Sequence, residues 1–260
     1  MSKVPQVTLA FWLIKICATT VGETGGDALS MTLNLGYAVS TLIFLAYFGV
    51  ALAGQLAAKR FHAALYWALV VATTTVGTTT SDYLDRTLGL GYIKSSIILF
   101  GAVLAALFIW RRVTGAIAVD HITDRKNETF YWVTILISNT LGTALGDFVA
   151  SDAGLGFDGG ALVFSGLIAL VGLAYLFTKA PRAILFWAAY ILTRPLGATL
   201  GDMLTKPHAQ GGLELGRFTS SLAIAAVMVV GVVLTSRRLI ADRSKATTTP
   251  AYAVPPSENP

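Results

Sequence analysis

Eight apolar runs, each about 18 to 22 residues long, follow one another along the chain near 6–26, 37–56, 63–83, 93–112, 129–149, 160–178, 183–203 and 218–236. A hydrocarbon core of roughly 30 Å is crossed by about 20 helical residues at ~1.5 Å each, so every run is long enough to span a bilayer. Polar and special residues punctuate these runs at fixed places. Trp12, Trp67, Trp132 and Trp187 are separated by 55, 65 and 55 residues. Each is followed ten residues on by a glycine (Gly22, Gly77, Gly142, Gly197) and fifteen on by an aspartate (Asp27, Asp82, Asp147, Asp202). Such a period marks an internal repeat. The expected fold is an all-α polytopic membrane protein of eight transmembrane helices, arranged as four parallel two-helix repeats. Two crossings per repeat return every unit to the same side, so an axis relating them lies along the membrane normal. The ten extra residues between the second and third units fall in 113–128, which predicts two four-helix halves. On this reading 1–112 holds repeats 1 and 2, 113–128 is a cytoplasmic linker, 129–243 holds repeats 3 and 4, and 244–260 is a polar, proline-containing tail expected to be disordered and cytoplasmic.

The odd helices carry the chemistry. Seven residues after each tryptophan stand Thr19, Thr74, Asn139 and Arg194; eight after stand Thr20, Thr75, Thr140 and Pro195; eleven after stand Glu23, Thr78, Thr143 and Ala198. Those offsets, with the aspartate at fifteen, share one helical face. The residue before each aspartate is Gly26, Ser81, Gly146 or Gly201, four after the repeated glycine. Small residues four apart let transmembrane helices approach closely, which makes Gly22, Gly77, Gly142 and Gly197 helix-packing positions. The tryptophans are expected to be packing anchors too, because their spacing is too regular to have been chosen for a ligand. Each connector ends in glycine, at Gly36, Gly91, Gly156 and Gly216. The even helices then open with hydroxyl pairs (Ser40 and Thr41, Ser95 and Ser96, Ser220 and Ser221), except the third, which has Gly160 and Ala161.

Composition changes the picture only by naming the solvent. Hydrophobic residues make up 55% of the chain and charged ones 13%, with a mean hydropathy of +0.68, well away from a soluble domain. Thirteen basic residues fall on one side of the helices (Lys3, Lys59, Arg60, Arg111, Arg112, Arg125, Lys126, Lys179, Arg182, Arg237, Arg238, Arg243, Lys245) and four on the other (Arg86, Lys94, Lys206, Arg217). The richer side is cytoplasmic, which places both termini there. That distribution accounts for the formal charge of +5 without a nucleic-acid partner. Cys17 is the only cysteine, so no intramolecular disulfide forms.

Taken together, the four tryptophans, the two-helix unit and the stretch from Val4-Pro5-Gln6-Val7-Thr8 to Asp27 resemble a family of uncharacterised bacterial inner-membrane proteins, built of four tandem two-helix repeats each with a characteristic tryptophan and often labelled membrane-anchored proteins. The resemblance covers roughly residues 5 to 236. It implies a bacterial cytoplasmic membrane location and brings no settled function. Ala198, Pro195 and the 14-residue fourth connector depart from the internal regularity.

Function is sought among the acids, since an ionisable group inside a membrane costs at least about 2.5 kcal/mol and is functional by default. Glu23, Asp27, Asp82, Asp147 and Asp202 lie in or at the ends of the spans, and Asp85, Asp152, Asp158 and Glu214 crowd the same side. These carboxylates, with Thr19, Thr20, Thr75 and Asn139, form a candidate oxygen-rich ion site, with Glu23 and Asp27 as its metal ligands. Lys15 and Arg194, deep in their spans, are the expected charge partners. Lacking His or paired Cys in the spans, such a site suits Mg, Ca or Mn rather than copper or zinc. The expectation is a secondary transporter of a small cation, with proton exchange at the same carboxylates and no resident cofactor. Two alternatives stand beside it: a structural or regulatory membrane module whose aspartates are helix caps, and an organic-cation carrier using Trp and Tyr. His62, His121 and His208 lie in loops and no nucleophile–base arrangement is suggested, so no enzyme is expected. Partners are the bilayer and a small cation.

Overall fold

Eight α-helices make up the computed structural model, which describes residues 5–117, 122 and 124–248, with side chains through Arg238. They are α1 (Leu9–Asp27), α2 (Gly36–Ala57), α3 (Ala63–Asp82), α4 (Tyr92–Thr114), α5 (Arg125–Asp147), α6 (Gly156–Phe177), α7 (Arg182–Thr205) and α8 (Arg217–Thr248). Strands are absent among the described residues. Helix α8 runs through 244–248, where the sequence suggested a disordered tail; 249–260 lie outside the described residues.

The four odd helices close into a ring, α1 against α3, α3 against α5, α5 against α7 and α7 against α1. Each even helix stands outside and packs on the odd helix of the following repeat: α2 on α3, α4 on α5, α6 on α7, and α8 on α1. The two four-helix halves of the sequence, α1–α4 and α5–α8, close on each other in one continuous ring. The offset carries across the linker between repeats 2 and 3, which joins α4 to α5 as closely packed neighbours.

Ring and rim differ in solvent. Within their most apolar stretches the outer helices bury only 11–22% of residues inside the protein, whereas α5 and α7 bury 67% and 56%. Leu42, Ile97, Leu162 and Leu222 on the outer helices are more than half exposed, as a lipid-facing surface requires. Among the described residues six helices are long and apolar enough to cross a membrane; α1 falls short chiefly because of Lys15 and Glu23, and α3 because of its threonines. Their position explains the shortfall, since a helix surrounded by other helices needs no lipid-compatible surface. Many of the threonines in these two helices bond to carbonyls of their own helix: Thr20 to Ile16, Thr24 to Thr20, Thr75 to Val71 and Thr79 to Thr75.

The repeated glycines sit where inner helices touch. A Cβ on Gly22 would collide with Thr74, on Gly77 with the backbone of Asn139 and Thr140, on Gly142 with Arg194, and on Gly197 with Thr19. Each repeat thus inserts its residue at position seven after the tryptophan into the glycine groove of the preceding repeat, and the last groove is filled by the first repeat. One turn on, Thr78 meets Gly26, Ala198 meets Gly146 and Glu23 meets Gly201. The hydroxyls add cross-helix bonds at matching places, Thr74 Oγ1 to the Ala18 carbonyl and Thr19 Oγ1 to the Thr193 carbonyl.

One end of the ring is closed by aromatics. Trp67 and Trp132 are buried and Trp12 and Trp187 half-buried, packed with Phe11, Tyr66, Tyr131, Phe186 and Tyr190 at ring separations of 5.1–6.5 Å. In this layer each tryptophan ring lies against other aromatic rings rather than in the polar centre of the ring.

Candidate functional site

At the opposite end of the ring α1, α3 and α5 finish on their aspartates, and α7 runs three residues past Asp202 to Thr205. In three repeats the chain then makes one wide π-helical turn, over Ala28–Thr32, Tyr83–Thr87 and Phe148–Asp152. Asn34, Gly89, Gly154 and Glu214, each two residues before the connector's last glycine, take positive φ and turn the chain back. The fourth connector replaces the π turn with an extended Lys206 (φ −79°, ψ 159°) and a loop folded back on α7 by bonds from Leu213 N to Met203 O and Leu215 N to Leu204 O.

Asp27, Asp82, Asp147 and Asp202 are all buried. They separate into two clamped pairs. Arg86 Nε lies 3.0 Å from Asp82 Oδ1 and its Nη2 3.3 Å from Asp147 Oδ2. Lys206 Nζ lies 3.0 Å from Asp27 Oδ2 and 3.1 Å from Asp202 Oδ1. The pairs follow the ring, α3 beside α5 and α7 beside α1. Arg217 Nε stands 3.6 Å from Asp27, and Tyr37 OH accepts a bond from Arg86 Nη1 at 3.2 Å. A cavity of about 870 Å³ opens at this connector end, lined in part by Arg86, Tyr92, Asp158, Lys206 and Arg217.

Glu23 sits one turn deeper, bonded to Arg194 Nη2 at 2.9 Å. Glu23, Asp27 and Asp202 each offer one carboxylate oxygen within 4.8 Å of the others. The predicted metal pair, Glu23 and Asp27, is thereby joined by Asp202 across the α7–α1 contact, while Asp82 and Asp147 are gathered separately on Arg86.

Several predicted members lie elsewhere. The Thr20 and Thr75 hydroxyls donate to carbonyls of their own helices, Ile16 at 3.0 Å and Ala72 at 3.0 Å, and Thr19 reaches the Thr193 carbonyl at 3.1 Å. Asn139 Nδ2 donates to Thr73 Oγ1 at 2.9 Å, joining α5 to α3. These groups are spent on helix backbones and helix contacts, which is what a threonine in a transmembrane helix does when no better acceptor is near. Of the two predicted charge partners, Arg194 lies 2.9 Å from Glu23. Lys15 lies apart from the acids: its buried Nζ has no hydrogen-bond partner among the described residues and lies 4.4 Å from the centre of the Tyr190 ring. It precedes Glu23 by two helical turns, about 12 Å of rise, too far to reach the acids.

The charge partners missed are Arg86 and Lys206, which the topology argument placed in loops. The signal was present, because each stands four residues after its repeat's aspartate, a helical ion-pair spacing. The Ser/Thr pairs that open α2 and α4 make no N-cap bonds, and in α8 Ser221 donates to Thr24 Oγ1 at 2.7 Å, tying α8 to α1.

A ring of buried polar helices inside a lipid-facing shell defines a helical membrane protein built on four tandem repeats. The chain belongs to the family described as Repeat of Unknown Function (DUF347), whose model matches residues 10–61, 65–116, 130–180 and 185–239, one match per repeat. Neither a curated protein nor a solved structure matches the chain.

Proposed function

We propose that the protein is a secondary transporter of a small cation, with a hard divalent metal ion (Mn, Mg or Ca) as cargo and protons as the counter-ion. The observation that carries this reading is the buried Glu23–Asp27–Asp202 group, three carboxylate oxygens within 4.8 Å of one another, whose Asp27 and Asp202 are held by Lys206, a residue that lines the cavity. Hard divalent ions take such oxygen ligands, and the same carboxylates can hold protons when the ion has left. In the conformation described, Lys206 Nζ occupies the gap between Asp27 and Asp202. A cation arriving through the cavity takes its place, and Lys206 moves back toward the cavity it already lines. The basic-residue distribution puts both termini in the bacterial cytoplasm, which faces the cavity outward.

Manganese uptake into proteoliposomes, with an internal pH dye, tests this reading. Wild type is expected to move manganese with opposed proton flux. Glu23→Gln and Asp27→Asn abolish both while leaving the protein folded, and Asp82→Asn and Asp147→Asn act more weakly. Full activity in the Glu23→Gln, Asp27→Asn double variant overturns the proposal. One observation favours a second reading, a structural or regulatory module: each ring aspartate already contacts a basic side chain, so every one of these acids has an ion-pair partner without a bound ion. Loss of folding rather than of transport in the acid variants supports that reading.

A further inference from the structure

Arg194 reaches from α7 into the middle of the ring and is fully buried. Its Nη2 donates to Glu23 Oε2 at 2.9 Å, to Thr78 Oγ1 at 2.6 Å and to Thr143 Oγ1 at 2.6 Å. These oxygens come from α1, α3 and α5 and share one position of the repeat, eleven residues after the tryptophan. The fourth occupant of that position is Ala198, on the helix that carries Arg194. All four inner helices therefore meet at one level around a single nitrogen.

The remainder of the guanidinium is received quite differently. Its Nε and Nη1 are buried without a hydrogen-bond partner among the described residues. Guanidinium is a planar fork of five donors whose strongest contacts are bidentate. Surroundings that satisfy one nitrogen and strand two match that shape poorly. Three oxygens converging on one point from three helices match a compact spherical cation. One carboxylate and two neutral hydroxyls balance a single positive charge, and an all-oxygen donor set suits a hard ion.

We infer that Glu23, Thr78 and Thr143 form a binding site for a hard monovalent cation of the sodium class, which Arg194 occupies in this conformation as a tethered substitute. The site shares only Glu23 with the Glu23–Asp27–Asp202 group and lies one turn nearer the aromatic end, Thr78 and Thr143 each standing four residues before their aspartates. If the carrier reading holds, Glu23 becomes the carboxylate for which coupling ion and cargo compete; the binding of the monovalent ion does not depend on that reading.

The test is thermal unfolding of purified Arg194→Met in nanodiscs, in choline, sodium, potassium or manganese chloride at equal ionic strength. Arg194→Met is expected to unfold at a lower temperature than wild type in choline, because Glu23 is left buried without a partner, and to recover in sodium. Wild type shows no such sodium response. Adding Thr143→Val to Arg194→Met raises the sodium concentration for half-recovery about tenfold, the loss of roughly 1.4 kcal/mol of binding. The Arg194→Met, Glu23→Gln double variant folds in choline and ignores sodium. Recovery by manganese alone, or by acid alone, overturns the monovalent assignment. So does an Arg194→Met protein that no ion rescues, including one that accumulates only once Glu23→Gln is added. Manganese transport by wild type is read separately, so the carrier proposal can fail while this one stands, and the reverse.

Discussion

Arg86 and Lys206 hold the same position in their repeats, nineteen residues after Trp67 and Trp187, where the first and third repeats have Met31 and Ser151. Two bases thus serve four acids, each clamping its own aspartate and that of a neighbouring repeat. Removing one partner of a buried pair strands a charge, which costs about 3–5 kcal/mol. Lys206→Met is expected to lower stability on that scale, because the Lys206 side chain is only 8% exposed, and thermal unfolding in detergent reads it. Arg86→Met should cost less, since its side chain is 31% exposed and water can reach the stranded carboxylates. The Lys206→Met, Asp202→Asn double variant regains part of the loss. Outside the spans, Asp124 caps α5 by accepting from Asn127 N at 3.1 Å and Asn127 Nδ2 at 2.7 Å, and those bonds hold its carboxyl below the usual range. A depressed folded-state pKa means that this stabilisation is present above the ordinary aspartate range and vanishes as pH falls through the lowered one. Asp124→Ala should therefore destabilise by about 1 kcal/mol at neutral pH and by nothing in strong acid. Asn127 Oδ1 also accepts from Trp110 Nε1 at 2.7 Å, so the same cap fastens α4 to α5.

At the scale of the element, the glycine grooves decide which substitutions the ring accepts. Gly22→Ala and Gly197→Ala drive a methyl into Thr74 and Thr19 and should each destabilise by about 1–3 kcal/mol. Gly25→Ala, in the same helix as Gly22 but with nothing within 4 Å of its added carbon, should be neutral or stabilising by up to about 1 kcal/mol. Equal losses at Gly22 and Gly25 in thermal unfolding would remove the groove argument. The eight helices, the small-residue pairs and the buried aspartates were legible in the sequence because each repeats at a fixed spacing, and a pattern written four times stands clear of chance. The π turns after Asp27, Asp82 and Asp147 were not. Nothing in Ala28–Thr32 or Tyr83–Thr87 distinguishes a wide turn from an ordinary one, since the difference lies in which carbonyl the next amide chooses. Nor was it legible that α2 leaves α1 to pack on α3, because a lipid-facing helix carries an apolar surface that suits any neighbour. Lys15 and Lys206 exchanged roles for a related reason: hydropathy shows depth in the membrane, whereas ion pairing depends on which side chains the ring brings within reach.

At the scale of the whole molecule, the offset packing means that the first repeat is completed by the last. Gly231 of α8 lies against Ile14 of α1, with an added Cβ 3.0 Å from Ile14 Cγ1. Ile14→Cys with Gly231→Cys, in a Cys17→Ser background, is expected to cross-link in membranes under mild oxidation, and failure to do so would count against ring closure. Reporter fusions within 113–128 should give the cytoplasmic signal and fusions near Gly89 and Gly154 the opposite one; the reverse pattern would overturn the orientation proposed from the basic residues. Four separate copies of a two-helix peptide could exchange outer helices around the same ring, but rotational symmetry would place four identical side chains wherever one approaches the axis. Four arginines would repel and four glutamates would repel. Writing the four quarters into one polypeptide frees each to differ, so that a single arginine can meet a single glutamate among two threonines. Covalent continuity is what allows the centre of a fourfold assembly to be asymmetric.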